Sequence, residues 1–222
     1  MACFELVIFD CDGVLVDSEP LSNRILAERL TAIGLPTTVE DAIRDYMGRS
    51  WKSDVELIES RLGRPLPEGF SDAYHAEVIA AFERELEPVA GIVAALDAIE
   101  LPWCVASSSA HPRIRASLTA TGLLDRFEGR IFSATDVEHG KPAPDLFLLA
   151  ARTMGVAPEH CVVVEDAPAG VQAARAAGMA VLGYAGLTDA ALLEGARVFT
   201  SMDELPALIS GCAPRSGAAR SA

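Results

Sequence analysis

The sequence predicts an α/β fold, a doubly wound parallel sheet with helices on both faces, into which an all-α cap domain is inserted. Two observations lead to this prediction. Short apolar runs rich in strand-forming residues recur along the chain, and segments with a helical period separate most of them. Residues 17–87 break this alternation, because they contain helical patterns and no strand-like run.

The predicted elements follow one another in a regular order. The first strand, residues 4–9, is a mostly apolar run that ends at Asp10-Cys11-Asp12-Gly13. Later strands are expected at residues 103–106, 130–132, 161–164, 180–183 and 197–199. Helices are expected between them at residues 89–99, 111–121, 145–154 and 167–177.

The helical insertion defines the expected domains. Amphipathic patterns at residues 21–33, 53–62 and 70–86 predict helices in this segment. We therefore expect a core formed by residues 1–16 and 88–211, and an inserted helical domain formed by residues 17–87. Residues 212–222 are small and polar and include Pro and Gly, which predicts a flexible tail.

The charge balance excludes some classes of partner. With 18 Lys and Arg against 32 Asp and Glu, the 222-residue chain carries a formal net charge of −14. No run of basic residues is present, so we expect neither nucleic acid nor an anionic membrane surface as a partner. Of the 18 cations only Lys52 and Lys141 are lysines.

The remaining composition predicts a cytoplasmic protein. No stretch reaches the roughly 18 uncharged apolar residues that a membrane span requires. Glu5, Asp10 and Asp12 interrupt the first apolar run, which is therefore unlike a signal peptide. The 5 cysteines are scattered and form no CxxC pair, as expected of free thiols in a reducing compartment. The sequence leaves the oligomeric state open, and a monomer is the expectation.

Polar residues follow the predicted strands at the edge of the sheet where ligands bind in such folds. They are Asp10 and Asp12 after the first strand, Ser107, Ser108 and Ser109 after the second, Lys141 after the third, and Glu165 and Asp166 after the fourth. Carboxylates gathered at one edge repel each other unless a cation lies among them, and oxygen ligands suit Mg²⁺. A lysine beside them indicates an anionic substrate.

The pair Asp10 and Asp12 suits a two-step phosphoryl transfer. On extended backbone two such side chains point to the same side, about 6.5 Å apart along the strand. One carboxylate can attack phosphorus and form an aspartyl-phosphate, while the other protonates the leaving alcohol and then activates water. We expect the second carboxylate and a phosphate nearby to favour the protonated form of Asp12.

The segment DCDGVLVDSE at residues 10–19 resembles the first motif of the haloacid dehalogenase-like phosphatase superfamily. The other three motifs follow in that family's order, with Ser107 at a strand end, Lys141 in GKPAPD and Glu165-Asp166 in VVVEDAPAG. The helical insertion resembles the cap of the beta-phosphoglucomutase and sugar-phosphatase branch. Within that branch the chain is most similar to the 6-phosphogluconate-phosphatase-like members.

The resemblance implies roles for the catalytic residues. It makes Asp10 the nucleophile and a metal ligand. Asp12 is implied as the general acid and base, and as a metal ligand through its backbone carbonyl. Lys141 would bridge Asp10 and the phosphoryl group and offset charge in the transition state.

The resemblance also implies a phosphate site and a metal site. Ser107 would hold a phosphoryl oxygen, and Ser108 would contribute its backbone amide. Asp166 would ligate Mg²⁺, with Glu165 beside it as a direct or water-mediated ligand. Nearby, His111 and His139 have no metal-ligand partner at a suitable spacing, so we expect loop or capping roles for both.

Other activities of related proteins fit less well. Dehalogenases and phosphonate hydrolases of this superfamily lack the second aspartate, so Asp12 argues against both. Mutases similar to this chain carry a histidine and an arginine where this sequence has Ser22 and Trp51. The mutase stays the alternative, because its core motifs are the same. A non-catalytic phospho-accepting receiver would leave Asp12 and the cap without a task.

The sequence thus predicts an Mg²⁺-dependent phosphomonoester hydrolase acting on a small phosphorylated metabolite, a sugar or sugar-acid phosphate. The loop at residues 48–52 is the candidate specificity loop of the cap, and it contains Arg49, Trp51 and Lys52. Arg49 and Lys52 would either grip a second anionic group or be exposed cations at a helix start.

Overall fold

The computed structural model describes residues 4–47, 49 and 51–211. Across these residues, 6 parallel strands form one sheet in the order β3-β2-β1-β4-β5-β6. The strands are β1 (Leu6–Phe9), β2 (Trp103–Ser107), β3 (Ile131–Ser133), β4 (Cys161–Glu165), β5 (Ala180–Tyr184) and β6 (Arg197–Phe199). Each coincides with a predicted strand to within two residues at either end, which confirms the predicted fold class.

Helices occupy both the insertion and the connections of the sheet. Those between β1 and β2 are α1 (Glu19–Ala32), α2 (Val39–Tyr46), α3 (Trp51–Leu62) and α4 (Phe70–Glu85). Those that follow are α5 (Ile92–Ala98), α6 (His111–Ala120), α7 (Leu124–Phe127), α8 (Asp145–Met154), α9 (Pro168–Ala176) and α10 (Leu205–Ser210).

The sequence patterns miss three of these helices, α2, α7 and α10. All three are short, so each buries too few residues to produce a helical period. Helix α2 is nevertheless specified locally by a capping box. Thr38 Oγ1 accepts a hydrogen bond from the backbone amide of Asp41 at 3.1 Å, and the Asp41 carboxylate accepts one from the Thr38 amide at 3.2 Å.

The alternation of side chains in β1 explains its continuous apolar sequence. Val7 and Phe9 face one hydrophobic cluster, which also contains the buried residues of the helical insertion. Leu6 and Ile8 face a second cluster on the other side of the sheet, built with helices α8 and α9. Because helices cover both faces, each residue of the strand is buried.

Strand register places the candidate site. Phe9 is level with Val105 of β2 on one side and with Val164 of β4 on the other. The residues after these positions, Asp10 and Glu165 among them, therefore emerge together at the carboxyl edge of the sheet. The strand order reverses between β1 and β4: β2 and β3 lie on one side of β1, whereas β4, β5 and β6 lie on the other. Doubly wound folds bind ligands at such a position.

Some expectations concern residues outside this description. The predicted tail at 212–222, two of the cysteines (Cys3 and Cys212) and two residues of the specificity loop (Gly48 and Ser50) lie outside the described residues. Among the described cysteines, Cys11, Cys104 and Cys161 are free and buried. In the described part of the chain, no helix combines the length and the apolar character needed to cross a bilayer.

Candidate active site

A cavity of 560 Å³ opens between the carboxyl edge of the sheet and the inserted helices. All the site candidates that the sequence motifs indicate line it: Asp10, Asp12, Arg49, Trp51, Lys52, Ser107, Ser108, Lys141, Glu165 and Asp166. The fold therefore brings together side chains that are as many as 156 positions apart, from Asp10 to Asp166. His111 and His139 are not among the lining residues and pair with Asp136 and Asp145 instead.

Lys141 is the central cation of the cavity. Its Nζ atom donates hydrogen bonds to Asp10 Oδ1 at 2.7 Å and to Glu165 Oε1 at 2.6 Å, and its side chain is only 4% exposed. Burial works against a charged lysine, but the two carboxylates outweigh it and raise the pKa of Lys141. The ammonium group therefore stays charged at neutral pH.

Three carboxylates form a candidate metal centre. Asp10, Glu165 and Asp166 each offer one oxygen, and these atoms lie within 4.8 Å of one another. Burial raises the pKa of Asp10 to about 7, with a further contribution from Glu165 and against the effect of Lys141. Burial and the charge of Glu165 also raise the pKa of Asp166 well above its usual range. Negative charge thus accumulates here beyond what one lysine offsets.

The surroundings of Asp166 test whether these residues fit a cation. Its side chain is buried, yet no hydrogen bond or ion pair reaches its carboxylate within the described residues. The backbone of Gly13, at φ +76°, approaches so closely that a Cβ there would lie 2.0 Å from Asp166 Oδ2. A buried, unpartnered carboxylate beside two others suits a hard divalent cation such as Mg²⁺.

A second glycine makes room for Glu165. A Cβ added to Gly170, in the first turn of α9, would lie 1.7 Å from Glu165 Oε1. Without that Cβ, the Glu165 carboxylate reaches Lys141 with Oε1 and accepts a hydrogen bond from the Ala167 amide at 2.9 Å with Oε2. Glycine at position 170 therefore sets the geometry around Lys141.

Asp12 is held differently from the other carboxylates. Its Oδ1 accepts hydrogen bonds from Ser18 Oγ at 2.5 Å and Arg113 Nη2 at 3.1 Å, and its Oδ2 accepts one from Ser109 Oγ at 2.8 Å. Burial alone would raise the pKa of Asp12, but the Arg113 guanidinium and the two hydroxyls hold it below its usual value.

This environment corrects one expectation from the sequence. We expected a neighbouring carboxylate and a phosphate to favour protonated Asp12, whereas the Arg113 guanidinium favours the ionised form. Arg113 lies on α6, about one hundred residues from Asp12 in sequence, and no motif marks it. It lies in the first turn of α6, four residues after Ser109, and α6 packs against the inserted helix α4.

The serines after β2 occupy the rim of the same edge. Ser107 is buried, with 1% exposure, and its Oγ accepts a hydrogen bond from the Ser109 amide at 3.1 Å. Ser108 is exposed at the cavity. These groups stand beside Lys141 in the lining, which is where a phosphoryl oxygen would need hydrogen-bond donors.

The inserted helices form the far wall. Trp51 stacks on Tyr74 with ring centroids 4.7 Å apart and planes 15° apart. Arg49 Nη2 donates a hydrogen bond to Ser53 Oγ at 2.6 Å, and its Nε lies 3.4 Å from Asp54 Oδ1. Lys52 is exposed. Sequence reasoning found Arg49, Trp51 and Lys52 but missed Tyr74 and Asp54, because those two read as ordinary positions within helices.

Comparisons with known proteins place the chain in a family. The family model of haloacid dehalogenase-like hydrolases matches residues 4–178. The 6-phosphogluconate phosphatase of Escherichia coli (strain K12) is 32% identical over 211 residues, which cover 94% of this chain and 96% of that protein. A fructose-1-phosphate phosphatase of the same strain is 34% identical over 178 residues, covering 78% of this chain and 92% of that protein.

A solved structure is similar over nearly the whole chain. A haloacid dehalogenase-like protein of unknown function from Agrobacterium tumefaciens superposes with a TM-score of 0.83 at 37% identity, covering 94% of this chain and 98% of that one. The expected enzyme class, a phosphatase, is confirmed by the named relatives. On the family match and these similarities, the chain belongs to the haloacid dehalogenase-like hydrolase family.

Proposed function

We propose that this phosphatase is an Mg²⁺-dependent phosphomonoester hydrolase that acts on a sugar or sugar-acid phosphate through an aspartyl-phosphate intermediate. The observation that carries the proposal is the bridge from Lys141 Nζ to Asp10 Oδ1 and Glu165 Oε1 inside a cavity large enough for a small metabolite. The named substrates of the two curated relatives, 6-phosphogluconate and fructose 1-phosphate, support the substrate class.

Asp10 is the proposed nucleophile. One of its carboxylate oxygens attacks phosphorus, a new P–O bond forms, and the bond from phosphorus to the ester oxygen breaks. Lys141, already hydrogen-bonded to Asp10, favours the ionised carboxylate against the effect of burial and offsets the charge that develops on the phosphoryl group. Ser107 and Ser108 line the same region and are proposed to donate hydrogen bonds to phosphoryl oxygens.

Asp12 is the proposed acid and base. Because Arg113 favours ionised Asp12 in the free enzyme, Asp12 has to take up a proton from water when the anionic substrate binds, and in the first step it passes that proton to the departing alkoxide, which leaves as an alcohol. In the second step the Asp12 carboxylate takes a proton from water, the water oxygen attacks phosphorus, and the bond to Asp10 breaks. Ser18, Ser109 and Arg113 fix both oxygens of Asp12 and so orient it for the two transfers.

Asp10, Glu165 and Asp166 are the proposed side-chain ligands of Mg²⁺, and the Asp12 carbonyl is the proposed backbone ligand. When bound, the ion supplies positive charge that stabilises the phosphoryl oxygens. We also propose that residues 17–87 act as a cap over the core of residues 1–16 and 88–211, and that the protein works in the cytoplasm. The free, buried thiols support that compartment.

The phosphatase is favoured over the mutase. The curated relatives reported above are phosphatases. Ser22, which stands where similar mutases have a histidine, accepts a hydrogen bond from Arg113 Nη2 at 3.1 Å. A serine hydroxyl does not titrate near neutral pH, so it cannot replace an imidazole in proton transfer.

The proposal is tested by phosphate release from p-nitrophenyl phosphate with Mg²⁺. Asp10→Asn removes the nucleophile, and we expect kcat to fall at least about 1,000-fold. Asp97→Asn, the same chemical change at an exposed position on α5, serves as the matched control and should keep full activity. Retention of more than about a tenth of the activity by Asp10→Asn would contradict the nucleophile assignment.

A further inference from the structure

One acidic side chain of the far wall is buried without accepting a hydrogen bond from any described residue. Asp54, on α3, is 7% exposed and lines the cavity. Within the described residues its Oδ1 atom accepts no hydrogen bond. A buried acceptor without a donor is costly, so its missing hydrogen bond calls for an explanation, such as a water molecule or a ligand.

The neighbouring arginine does not satisfy this oxygen. Arg49 Nε lies 3.4 Å from Asp54 Oδ1, close enough for an ion pair but without hydrogen-bond geometry. The guanidinium directs its Nη2 instead to Ser53, at 2.6 Å from Oγ. Asp54 therefore neutralises Arg49 through Oδ1, which solvent does not reach. Its other oxygen, Oδ2, also accepts no hydrogen bond within the described residues, and it is the oxygen that a ligand in the cavity can approach.

A second carboxylate of the cavity lies within electrostatic reach of Asp54. Glu19 lines the cavity, and Glu19 Oε2 accepts a hydrogen bond from Asn23 Nδ2 at 3.0 Å. Burial raises the pKa of Glu19 to about 7, and burial with Glu19 nearby raises the pKa of Asp54 to about 7 against the effect of Arg49. These two acids make their surroundings a poor place for a further carboxylate.

The cations of this region are mostly engaged. Arg113 bonds Asp12 and Ser22, and Arg49 is paired with Asp54. Lys52 also lines the cavity, but it is exposed, where water and salt screen its attraction for an anion. Both arginines of this region are thus already paired, and neither is left free to bind a carboxylate of the substrate.

We propose that Asp54 accepts hydrogen bonds from hydroxyl groups of the leaving alcohol and thereby selects phosphates of neutral polyols, that is sugars or sugar alcohols, over phosphates of sugar acids. The inference rests on the proposed phosphatase function and narrows its substrate class. It separates this enzyme from the E. coli relative named for 6-phosphogluconate, whose leaving group carries a carboxylate.

A matched substrate pair tests this selection. Glucitol 6-phosphate and 6-phosphogluconate have the same carbon chain and stereochemistry and differ only at C1, a hydroxymethyl group against a carboxylate. At pH 8, where Asp54 is ionised, we expect the wild-type enzyme to have a kcat/KM at least about tenfold higher for the glucitol ester, the value of one hydrogen bond to a charged group.

The Asp54→Asn variant should lower the ratio of kcat/KM for the glucitol ester to that for 6-phosphogluconate by about tenfold or more. Asparagine is a weaker acceptor than a carboxylate, it does not repel the carboxylate of the substrate, and it leaves the charge of Arg49 without a counter-ion. Glu56→Gln, an exposed acid on the same helix, is the matched control and should leave the ratio unchanged. Glu19→Gln is a second variant, expected to shift the ratio in the same direction should Asp54→Asn fail to fold.

The outcomes separate the two proposals. The selection of polyols is overturned if the wild type prefers 6-phosphogluconate, or if neither variant changes the ratio of the two kcat/KM values. In that case hydrolysis of p-nitrophenyl phosphate would still support the proposed phosphatase function. Failure to hydrolyse p-nitrophenyl phosphate and both sugar esters overturns the proposed function and this inference with it. A wild-type preference for the glucitol ester that either variant reduces supports the inference.

Discussion

Gly170→Ala is the substitution for which local rules and the tertiary structure give opposite expectations. Gly170 lies in the first turn of α9, where replacing Gly by Ala normally stabilises a helix by about 1 kcal/mol. In this fold the new Cβ would lie 1.7 Å from Glu165 Oε1 and 1.9 Å from its carboxyl carbon. The Glu165 side chain is 1% exposed, so it has little free space into which to move.

The magnitude follows from the contacts that Glu165 would lose. Its oxygens bond Lys141 Nζ at 2.6 Å and the Ala167 amide at 2.9 Å. A hydrogen bond to a charged group is worth roughly 1.5–3 kcal/mol. Losing both outweighs the helix gain, so we expect the free energy of unfolding to fall by about 2 kcal/mol or more. Activity should fall as well, because Lys141 would lose one of its two anchors.

The assay is urea unfolding of the wild-type and variant proteins, with phosphate release measured on the same samples. Gly140→Ala is the steric control, because its Cβ would meet only Ala134 Cβ, at an ordinary 3.6 Å. We expect that control to stay within about 0.5 kcal/mol of the wild type. If Gly170→Ala proved as stable and as active as the wild type, the proposed role of this glycine would be refuted.

Three further predictions follow from the same geometry. Arg113→Met should lower the free energy of unfolding by about 2 kcal/mol, because Asp12 loses a partly buried cation, and Arg113→Lys should restore part of it in urea unfolding. Adding Mg²⁺ should raise the melting temperature of the wild type by several degrees and that of Asp166→Asn by little, as measured calorimetrically. Because the pKa of Asp54 is raised to about 7, the folded state binds the proton of the Asp54 carboxyl group more tightly than the unfolded chain does. Ionised Asp54 therefore lowers the free energy of unfolding as pH rises from about 4 to about 7. Asp54→Asn should therefore unfold at higher urea than the wild type at pH 8 and lose that advantage by pH 4; an equal difference at both values would contradict the raised pKa.

Much of the fold and the core of the site could be predicted from sequence, because their signals are local. A parallel strand covered on both faces must be apolar along its length, so β1 and β4 stand out in the sequence. The polar residues that follow such strands lie at one edge, so Asp10, Lys141 and Glu165 could be grouped from their positions after the strands alone.

The surroundings of those residues depend on contacts between distant segments. Arg113 reaches Asp12 from α6, and Asp54 lines the cavity from α3 of the helical insertion, although neither residue is close in sequence to the strand ends of β1 or β4. Helical periodicity assigns a residue to a buried face but does not tell which other element covers that face. The sequence could therefore offer Arg49 and Lys52 as cations for a second anion without showing that Asp54 pairs with Arg49.

By itself, the sequence determined the sheet, the helical insertion and the chemistry that the strand ends can perform. Only the tertiary structure decided that Arg113 favours the ionised form of Asp12, that glycines at 13 and 170 admit two carboxylates, and that Asp54 lines the cavity without accepting a hydrogen bond from the part of the chain that the structure describes. The reason is physical. Secondary structure follows from the period of neighbouring residues, whereas a charge, a cavity or an unpartnered oxygen depends on which side chains folding brings within a few ångströms.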